Sequence, residues 1–199
     1  MPRGSHDLHG SAPDKSKTAL LLIDVINDLN FPEGEQLLRL ALPVGRKIAE
    51  LKKRAAEADI PSIYVNDNFG RWQSDFKKIV AHCKGENSRG RPFVELLLPD
   101  PDDYFVLKPK NSGFYSTTLD LLLTHLTVKN LILTGIAGNN CVFFTANDAY
   151  MRDYKVFVPS DCVVSNTEEE NVHALKQMEI VLKADTTIAS KLDLKALNS

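Results

Sequence analysis

Several features that mark other classes of protein are missing from this chain of 199 residues. No apolar run approaches the ~18 residues of a membrane-spanning helix, and the N-terminus has no apolar signal-peptide core. Lysine and arginine are scattered among aspartate and glutamate, with a net charge of −2 and a pI near 6.2. Without a basic stripe, nucleic-acid binding is not supported. We therefore expect no membrane and no nucleic-acid partner.

Cysteine is also scarce, with three residues that lack the even number and regular spacing of a disulfide framework. This favours free thiols in a reducing compartment, and the cytoplasm is the default location. No G-x-G-x-x-G follows the first apolar run and no P-loop is present, which argues against a dinucleotide oxidoreductase and against phosphoryl transfer. The overall composition, with 43% hydrophobic and 25% charged residues, is typical of an ordinary globular protein.

The pattern along the chain predicts a flexible polar lead-in over residues 1–17 and one domain over 18–199. Short apolar runs alternate with amphipathic stretches, which predicts a Rossmann-like three-layer α/β/α fold around a mostly parallel sheet of five or six strands. Strands are predicted at Thr18–Val25, Ser62–Asp67, Asp103–Pro109, Asn130–Gly135 and Lys155–Asp161, with a possible final strand at Thr186–Ser190. Helices are predicted at Glu35–Ala58, Ser74–His82, Ser116–Leu126, Asn139–Arg152 and Thr167–Leu182.

Three chemically reactive side chains follow predicted strands: Asp24 the first, Lys108 the third and Cys141 the fourth. Because ligands bind at the carboxyl ends of the strands in open α/β sheets, we expect these three groups to meet on one rim. Cys141 falls where a helix should begin, so the helix N-terminus and Lys108 are expected to lower the pKa of its thiol. Asp24 is then placed to accept the thiol proton and to pass it to a leaving amine.

Three segments resemble the motif blocks of the isochorismatase-like cysteine hydrolase family, and the resemblance extends over nearly all of Thr18–Ile188. They read LLLIDVINDL, KPKNSGFYSTTLD and LILTGIAGNNCV. The resemblance implies a catalytic triad of Asp24, Lys108 and Cys141. It also implies a cis peptide between Ile136 and Ala137, with the N–H groups of Ala137 and Cys141 forming an oxyanion hole. A homodimer or a larger homo-oligomer is implied as well.

Departures from the family pattern bear on the ligand. After the second strand the chain reads NDNFGRW, where the metal-binding nicotinamidases have an aspartate and two histidines, so we expect no metal and no other cofactor. Ile26 stands where the family usually has glutamine, and Leu29 where it usually has phenylalanine. Members that cleave the vinyl ether of isochorismate do not need the thiol, so the retained Cys141 favours acyl chemistry at a C–N bond.

The predicted reaction is hydrolysis of a small amide, ureide or carbamoyl compound through a thioester on Cys141. Vinyl-ether hydrolysis and a purely binding role on the same fold are the alternatives. Residues near the rim that are expected to contact the substrate are Phe31, Asn66, Asp67, Trp72, Phe114, Tyr115 and Asn139. For the aromatic members of this set, filling a subunit interface is an equally good interpretation.

Other reactive residues have simpler interpretations. Lys110 competes with Lys108 for the lysine role, and the four-residue spacing to Ser112 favours Lys108. Cys162 is predicted to lie in the core and Cys83 on the surface. The histidines within helical patterns, His125 and His173, are interpreted as surface or core residues rather than ligands. A phosphoacceptor signalling module is disfavoured because no acidic pair follows the first strand.

Overall fold

A six-stranded parallel sheet forms the centre of the protein, whose computed structural model describes residues 15–70, 72 and 75–199. The strands are β1 (Thr18–Ile23), β2 (Ser62–Asp67), β3 (Tyr104–Lys108), β4 (Asn130–Ile136), β5 (Lys155–Phe157) and β6 (Val163–Val164). They are ordered β3-β2-β1-β4-β5, and β6 also pairs with β4. Every strand pair is parallel, which confirms the predicted sheet.

Helices cover both faces of the sheet. In the described part of the chain they are α1 (Gly34–Glu57), α2 (Phe76–Cys83), α3 (Arg91–Val94), α4 (Leu119–His125), α5 (Phe143–Tyr150), α6 (Glu168–Leu182) and α7 (Leu194–Asn198). Short 3₁₀ turns occupy Glu95–Leu97 and Ala189–Lys191, and a π-helical turn at Gly138–Val142 precedes α5. None of the described helices is long and apolar enough to cross a bilayer.

Two apolar layers result from the alternation of side chains along β1. Leu20 and Leu22 belong to the layer that includes α1, whereas Leu21 and Ile23 belong to the layer that includes α4, α5 and α6. All six β1 residues are buried, as expected for an aliphatic strand covered on both faces. This arrangement confirms the predicted three-layer architecture.

A capping box begins α6. The Thr167 side chain accepts a hydrogen bond from the backbone N–H of Glu170, and the Glu170 side chain accepts one from the N–H of Thr167. The two bonds satisfy donors that a helix N-terminus otherwise leaves without partners. The sequence ThrGluGluGlu therefore fixes the start of this helix.

The last predicted strand is wrong. Within Thr186–Ser190, Ala189 donates its N–H to Asp161 Oδ1 at 2.8 Å and opens a 3₁₀ turn instead of pairing along the sheet. The sixth strand is the two-residue β6. The predicted fifth strand also ends early, at Phe157, two residues before Pro159, which has no N–H to donate to a ladder.

Of the predicted lead-in over residues 1–17, residues 1–14 lie outside the described residues. The predicted helix start at Ser74 lies outside them too. The described end of the lead-in is packed against the domain. Ser16 is buried and its hydroxyl donates to Asn198 Oδ1 at 2.7 Å. The carbonyl of Lys17 accepts hydrogen bonds from the N–H groups of Lys129 at 2.8 Å and of Asn130, the first residue of β4, at 2.9 Å.

Candidate active site

Three reactive side chains meet at the carboxyl end of the sheet. Lys108 Nζ lies 2.8 Å from Asp24 Oδ2 and 3.4 Å from Cys141 Sγ. The lysine is 0% exposed and Asp24 is 5% exposed, while Cys141 is partly exposed. Parallel pairing of β3 with β2, of β2 with β1 and of β1 with β4 brings these chain-distant residues to one rim. The structure thus brings together the three residues predicted to form the triad.

The charge state of the thiol differs from the sequence prediction. Burial, followed by the Asp24 carboxylate, raises the pKa of Cys141 to about 12, against the opposing effect of the Lys108 ammonium. The predicted lowering of this pKa is wrong, because the loss of hydration and the adjacent carboxylate outweigh the helix N-terminus and the lysine. The resting thiol is therefore protonated, and nucleophilic attack requires a base.

The pKa values of the Asp24 carboxyl and the Lys108 ammonium are shifted as well. Burial raises the pKa of Asp24, although Lys108 and the hydrogen bonds to the carboxylate oppose this. Burial alone would lower the pKa of Lys108, but Asp24, Cys141 and Asp67 together raise it above its usual value. A carboxyl with a raised pKa is better suited to both taking and returning a proton near neutral pH.

Asp24 is held in place by the end of β2. The backbone N–H of Asp67 donates to Asp24 Oδ1 at 2.7 Å. The side chain of Asn66 holds the loop after β1, because its Nδ2 donates to the carbonyl of Ile26 at 2.9 Å and its Oδ1 accepts from the N–H of Ile26 at 3.1 Å. Asn66 is fully buried. Its predicted substrate contact is wrong, since the amide is used to hold this loop.

Asp67 remains at the rim, partly exposed, with Oδ2 3.7 Å from Lys108 Nζ. Its other oxygen accepts from the N–H of Phe69 at 2.6 Å. The residue therefore places a second carboxylate beside the lysine.

The turn that carries Cys141 is tied to the loop after β3. Thr145 Oγ1 donates to the carbonyl of Cys141 at 2.7 Å and accepts from the N–H of Gly113 at 3.0 Å. The Asn111 and Asn140 side-chain amides are hydrogen-bonded across the same gap. Thr145 was not predicted from the sequence, and the available signal is a hydroxyl residue four positions after the thiol, near the start of α5.

The peptide between Ile136 and Ala137 is cis, as the family resemblance implies. Just before it, Gly135 has φ 116°, and a Cβ there would lie 2.0 Å from the carbonyl oxygen of Ile23. Only glycine fits so close to the neighbouring strand. On the other side of the peptide, the N–H of Asn139 donates to Ser165 Oγ at 3.0 Å, and the Asn139 side chain is exposed.

A cavity of about 820 Å³ opens between the loops that follow β1 and β2 and the helix α2. Its lining includes Asn27, Asp28, Phe31, Asn68, Trp72 and His82. Asp24, Lys108 and Cys141 are not among its described lining residues. Asn27 nevertheless follows Asp24 by three positions, and the N–H of Asn68 donates to the carbonyl of Lys108 at 3.1 Å. Predicted contacts Phe31 and Trp72 thus line a cavity formed by segments that are close in sequence or by backbone hydrogen bond to Asp24 and Lys108.

The remaining aromatic candidates lie elsewhere. Phe114 is buried in the core, against the ring of Tyr154 and below the guanidinium of Arg152 at 4.7 Å, so its predicted substrate contact is wrong. An apolar ring in the Ser-Gly-Phe segment is better buried than exposed. Tyr115 is exposed, outside the described lining of the cavity.

Comparison with known proteins identifies the family of this chain. The family model named Isochorismatase domain matches residues 18–189. This chain belongs to the isochorismatase family. It is 45% identical over 178 residues to the uncharacterized isochorismatase family protein YaaI of Bacillus subtilis (strain 168), covering 89% of this chain and 97% of YaaI.

One further relative and one solved structure of the same fold have names that state an activity. Ureidoacrylate amidohydrolase RutB of Methylobacterium radiotolerans is 44% identical over 176 residues, which cover 75% of this chain and 68% of RutB. The crystal structure of N-carbamoylsarcosine amidase from Thermoplasma acidophilum superposes with a TM-score of 0.69 at 22% identity, covering 89% of this chain and 99% of the amidase. The predicted family and α/β fold are confirmed, and the chain is a hydrolase of this family.

Two other predictions concern residues around the triad. The preference for Lys108 agrees with the geometry, since Lys110 is exposed and supplies only its carbonyl, which accepts from Lys108 Nζ at 3.2 Å. Cys162 lies in the core as predicted, but the surface position predicted for Cys83 is wrong. Cys83 is buried because it lies on the inward face of α2.

The described residues contain no group of three or more His, Cys, Asp or Glu side chains placed to hold a metal ion. His82 instead pairs with a single carboxylate, that of Asp28, at 2.9 Å.

Proposed function

We propose that this protein hydrolyses a C–N bond of a small amide, ureide or carbamoyl substrate, with Cys141 as the nucleophile. The observation that carries the proposal is the position of Lys108 Nζ, which lies 2.8 Å from the Asp24 carboxylate and 3.4 Å from the Cys141 sulfur. One buried cation thus links a base to a thiol. This combination matches the requirements of nucleophilic catalysis by a cysteine that is protonated at rest.

In the proposed mechanism, Asp24 takes the thiol proton as Cys141 Sγ attacks the substrate carbonyl carbon. The carbonyl π electrons move to oxygen, and the N–H groups of Ala137 and Cys141 stabilise the oxyanion. When the carbonyl re-forms, the C–N bond breaks and Asp24 protonates the departing amine. A thioester on Cys141 remains.

Water completes the cycle in the second half. Asp24 removes a proton from the water as its oxygen attacks the thioester, and the C–S bond breaks in the collapse that follows. Cys141 recovers its proton from Asp24. Throughout, the Lys108 ammonium stabilises the negative charge that moves between the carboxylate and the sulfur. This electrostatic attraction is stronger in the buried site than in water.

One relative supports amide chemistry, since RutB, which is 44% identical over 176 residues, is named as an amidohydrolase. We assign the substrate to the 820 Å³ cavity, with Phe31 and Trp72 as aromatic walls. Asp67, Tyr115 and Asn139 lie outside the described lining of this cavity and stay predicted contacts. A cavity of this volume accommodates a small molecule.

We also infer a reducing, cytoplasmic setting, because the three cysteines are free and two of them are buried without a disulfide. A homodimer or larger homo-oligomer is inferred from family membership.

The test is ammonia release from a panel that includes nicotinamide, 3-ureidoacrylate and N-carbamoylglycine. Cys141→Ala should abolish turnover while preserving the unfolding midpoint, because the residue supplies the nucleophile and contributes little packing. Cys83→Ala is the matched control and should remain active. A Cys141→Ala protein that still releases ammonia contradicts the proposal, and cleavage of isochorismate by that variant would favour the vinyl-ether reaction instead.

A further inference from the structure

The turn that carries Cys141 holds its own shape through one carbonyl group. The carbonyl of Ala137 accepts from the N–H of Asn140 at 3.0 Å and from the N–H of Val142 at 3.2 Å. Both donors belong to the π-helical turn Gly138–Val142. These two bonds fix the curvature of the turn, but they leave open where the turn lies relative to the sheet.

A buried hydroxyl group fixes the position of the turn. Ser165 directly follows β6 and is 0% exposed. Its Oγ accepts from the N–H of Asn139, in the amino-terminal half of the turn, at 3.0 Å. Because β6 pairs with β4 at Gly135 and Ile136, Ser165 ties the turn to the same strand end from which the turn departs.

The direction of each hydrogen bond around this hydroxyl follows from its partners. Ser165 Oγ accepts from Asn139 and donates its single proton to Asn171 Oδ1 at 3.1 Å. The Asn171 amide then has Nδ2 as its donor, and Nδ2 donates to the carbonyl of Val163 in β6 at 3.2 Å. Asn171 lies on α6, whose start is fixed by the capping box. Two elements, β6 and α6, therefore hold the hydroxyl in one orientation.

Gly138 brings the backbone of the turn into direct contact with these two side chains. A Cβ at Gly138 would lie 2.4 Å from Asn171 Oδ1 and 3.1 Å from Ser165 Oγ. Only glycine allows the backbone to approach so closely. The turn is thus packed against Ser165 and Asn171 as well as bonded to Ser165, so a change in either side chain is transmitted to the backbone.

We propose that Ser165 is a positioning residue for the oxyanion hole, and that Asn171 holds the Ser165 hydroxyl in place. The inference rests on the proposed hydrolase function, in which the N–H groups of Ala137 and Cys141 stabilise the oxyanion. Asn139, which Ser165 binds, lies between these two residues in the chain. Oxyanion donors act at about 2.7–3.1 Å, and a displacement of about 1 Å can cost about 10²-fold in rate. A hydroxyl that holds the turn in place therefore acts on the rate of carbonyl attack.

The test compares two reactions of the same sulfur. The ester p-nitrophenyl acetate acylates a thiol through a tetrahedral oxyanion, and the released p-nitrophenolate gives the rate. Iodoacetamide alkylates a thiol by displacement of iodide, and no oxyanion forms. The ratio of the acylation rate to the alkylation rate at Cys141 therefore reports on the oxyanion hole, whatever the natural substrate is. Cys141→Ala gives the background for both reactions.

Ser165→Ala should lower this ratio by about tenfold or more. The alkylation rate should stay within about twofold of the wild-type rate, because Asp24 and Lys108 still control the sulfur. Thr134→Val is the matched control, since Thr134 is fully buried on β4 and its hydroxyl donates to the carbonyl of Leu21 at 2.9 Å. Both variants lose a buried hydroxyl and should lower the urea midpoint, but only Ser165→Ala should lower the ratio.

Asn171→Ala gives a second measurement at a partly exposed position, and it decides the question if Ser165→Ala does not fold. It keeps the Ser165 hydroxyl as an acceptor but leaves that hydroxyl free to rotate, so the ratio should fall by about threefold or more. With an amide that the wild-type protein hydrolyses, both variants should lower kcat and leave KM unchanged. Neither residue is among the described lining residues of the 820 Å³ cavity.

Failures of the two proposals give different results. A ratio that neither variant lowers, or that Thr134→Val lowers equally, overturns the positioning role and leaves the hydrolase proposal standing. An alkylation rate that falls as far as the acylation rate also overturns it, because the variant then disturbs the sulfur itself. Wild-type protein whose Cys141 is alkylated but not acylated contradicts the hydrolase proposal, on which the inference rests.

Discussion

The two ends of β1 both have buried polar side chains, but these side chains make different kinds of interaction. At the amino end, Thr18 Oγ1 donates to the carbonyl of Leu197 at 2.6 Å and accepts from Asn130 Nδ2 at 3.2 Å. All of these groups are neutral. At the carboxyl end, Asp24 and Lys108 form a buried ion pair beside a thiol. Neutral hydrogen bonds connect the chain at one end, while at the other end burial and the Asp24 carboxylate raise the pKa of a reactive sulfur.

This difference separates groups that stabilise the fold from groups whose presence is explained by the proposed chemistry. A buried ion pair loses hydration that its mutual attraction repays only in part, and apolar residues of similar volume often stabilise a protein as well or better. Nothing in the packing of the sheet requires an ammonium at the end of β3. Its presence there is explained by the chemistry of the carboxylate and sulfur that it contacts.

The largest effect is expected from Lys108→Met. This variant leaves Asp24 buried without its cation, so ammonia release should fall by about 10³-fold or more and the free energy of unfolding by about 3–5 kcal/mol. Activity assays and urea unfolding measure the two effects. Lys110→Met removes the same charge from an exposed position and should change neither quantity much. An active Lys108→Met protein would contradict the claim that the charged groups at the carboxyl end of the sheet are needed for activity.

Asp24→Asn should reduce turnover by about 10²–10⁴-fold, because it removes the general acid and base. Its stability effect has a predictable sign. Burial raises the pKa of Asp24 above its ordinary 3.8, so the stability gained from protonation is present below pH 3.8 and is lost as pH rises through the folded value.

Asparagine does not titrate. The stability of the wild-type protein relative to Asp24→Asn should therefore fall as pH increases from 4 towards neutrality. Urea midpoints of both proteins at pH 4, 5, 6 and 7 measure this, and a difference that rises with pH would show that the carboxylate is favoured by folding.

A smaller effect is expected at the helix that carries the thiol. Thr145→Val deprives the N–H of Gly113 of its acceptor and the carbonyl of Cys141 of its donor, so stability should fall by about 1–3 kcal/mol. Turnover should fall by about tenfold in kcat, with little change in KM, because the sulfur is less well positioned. Thr187→Val, at an exposed site, is the control. Loss of stability without loss of kcat would make Thr145 purely structural.

The smallest effect on activity is expected at the amino end. Thr18→Val removes the bonds to Leu197 and Asn130 and should lower the free energy of unfolding by about 1–2 kcal/mol while leaving kcat and KM unchanged. Urea unfolding and ammonia release on the same preparation check both statements. A large fall in kcat would mean that the two ends of β1 are coupled.

The parts of the molecule that were predictable from sequence have strong local signals. The aliphatic run of β1 identifies a strand covered on both faces, and parallel strands must bring their carboxyl ends together. Asp24 and Lys108 were therefore predictable as neighbours, since each lies at or directly after a strand end. The two-residue β6 was not, because Val163 and Val164 are too few to show a period of two.

Other features depend on contacts between chain-distant residues. The direction of the pKa shift at Cys141 is set by desolvation and by a carboxylate from another strand, neither of which the local helix signal reports. Asn66 lies at a strand end like Asp24, yet its amide serves the backbone of Ile26. Residue type and position alone do not separate a ligand contact from an internal hydrogen bond.

The most direct test of the account is the rate at which iodoacetamide alkylates Cys141, followed by peptide mass spectrometry. With a thiol pKa of about 12, the wild-type rate should rise about tenfold per pH unit from pH 7 to 10, because only the thiolate reacts. Asp24→Asn should increase the alkylation rate at pH 8 although it reduces turnover, and Lys108→Met should decrease the alkylation rate. A plateau below pH 9, or rates that neither variant changes, would contradict the claim that this carboxylate and this ammonium control one sulfur.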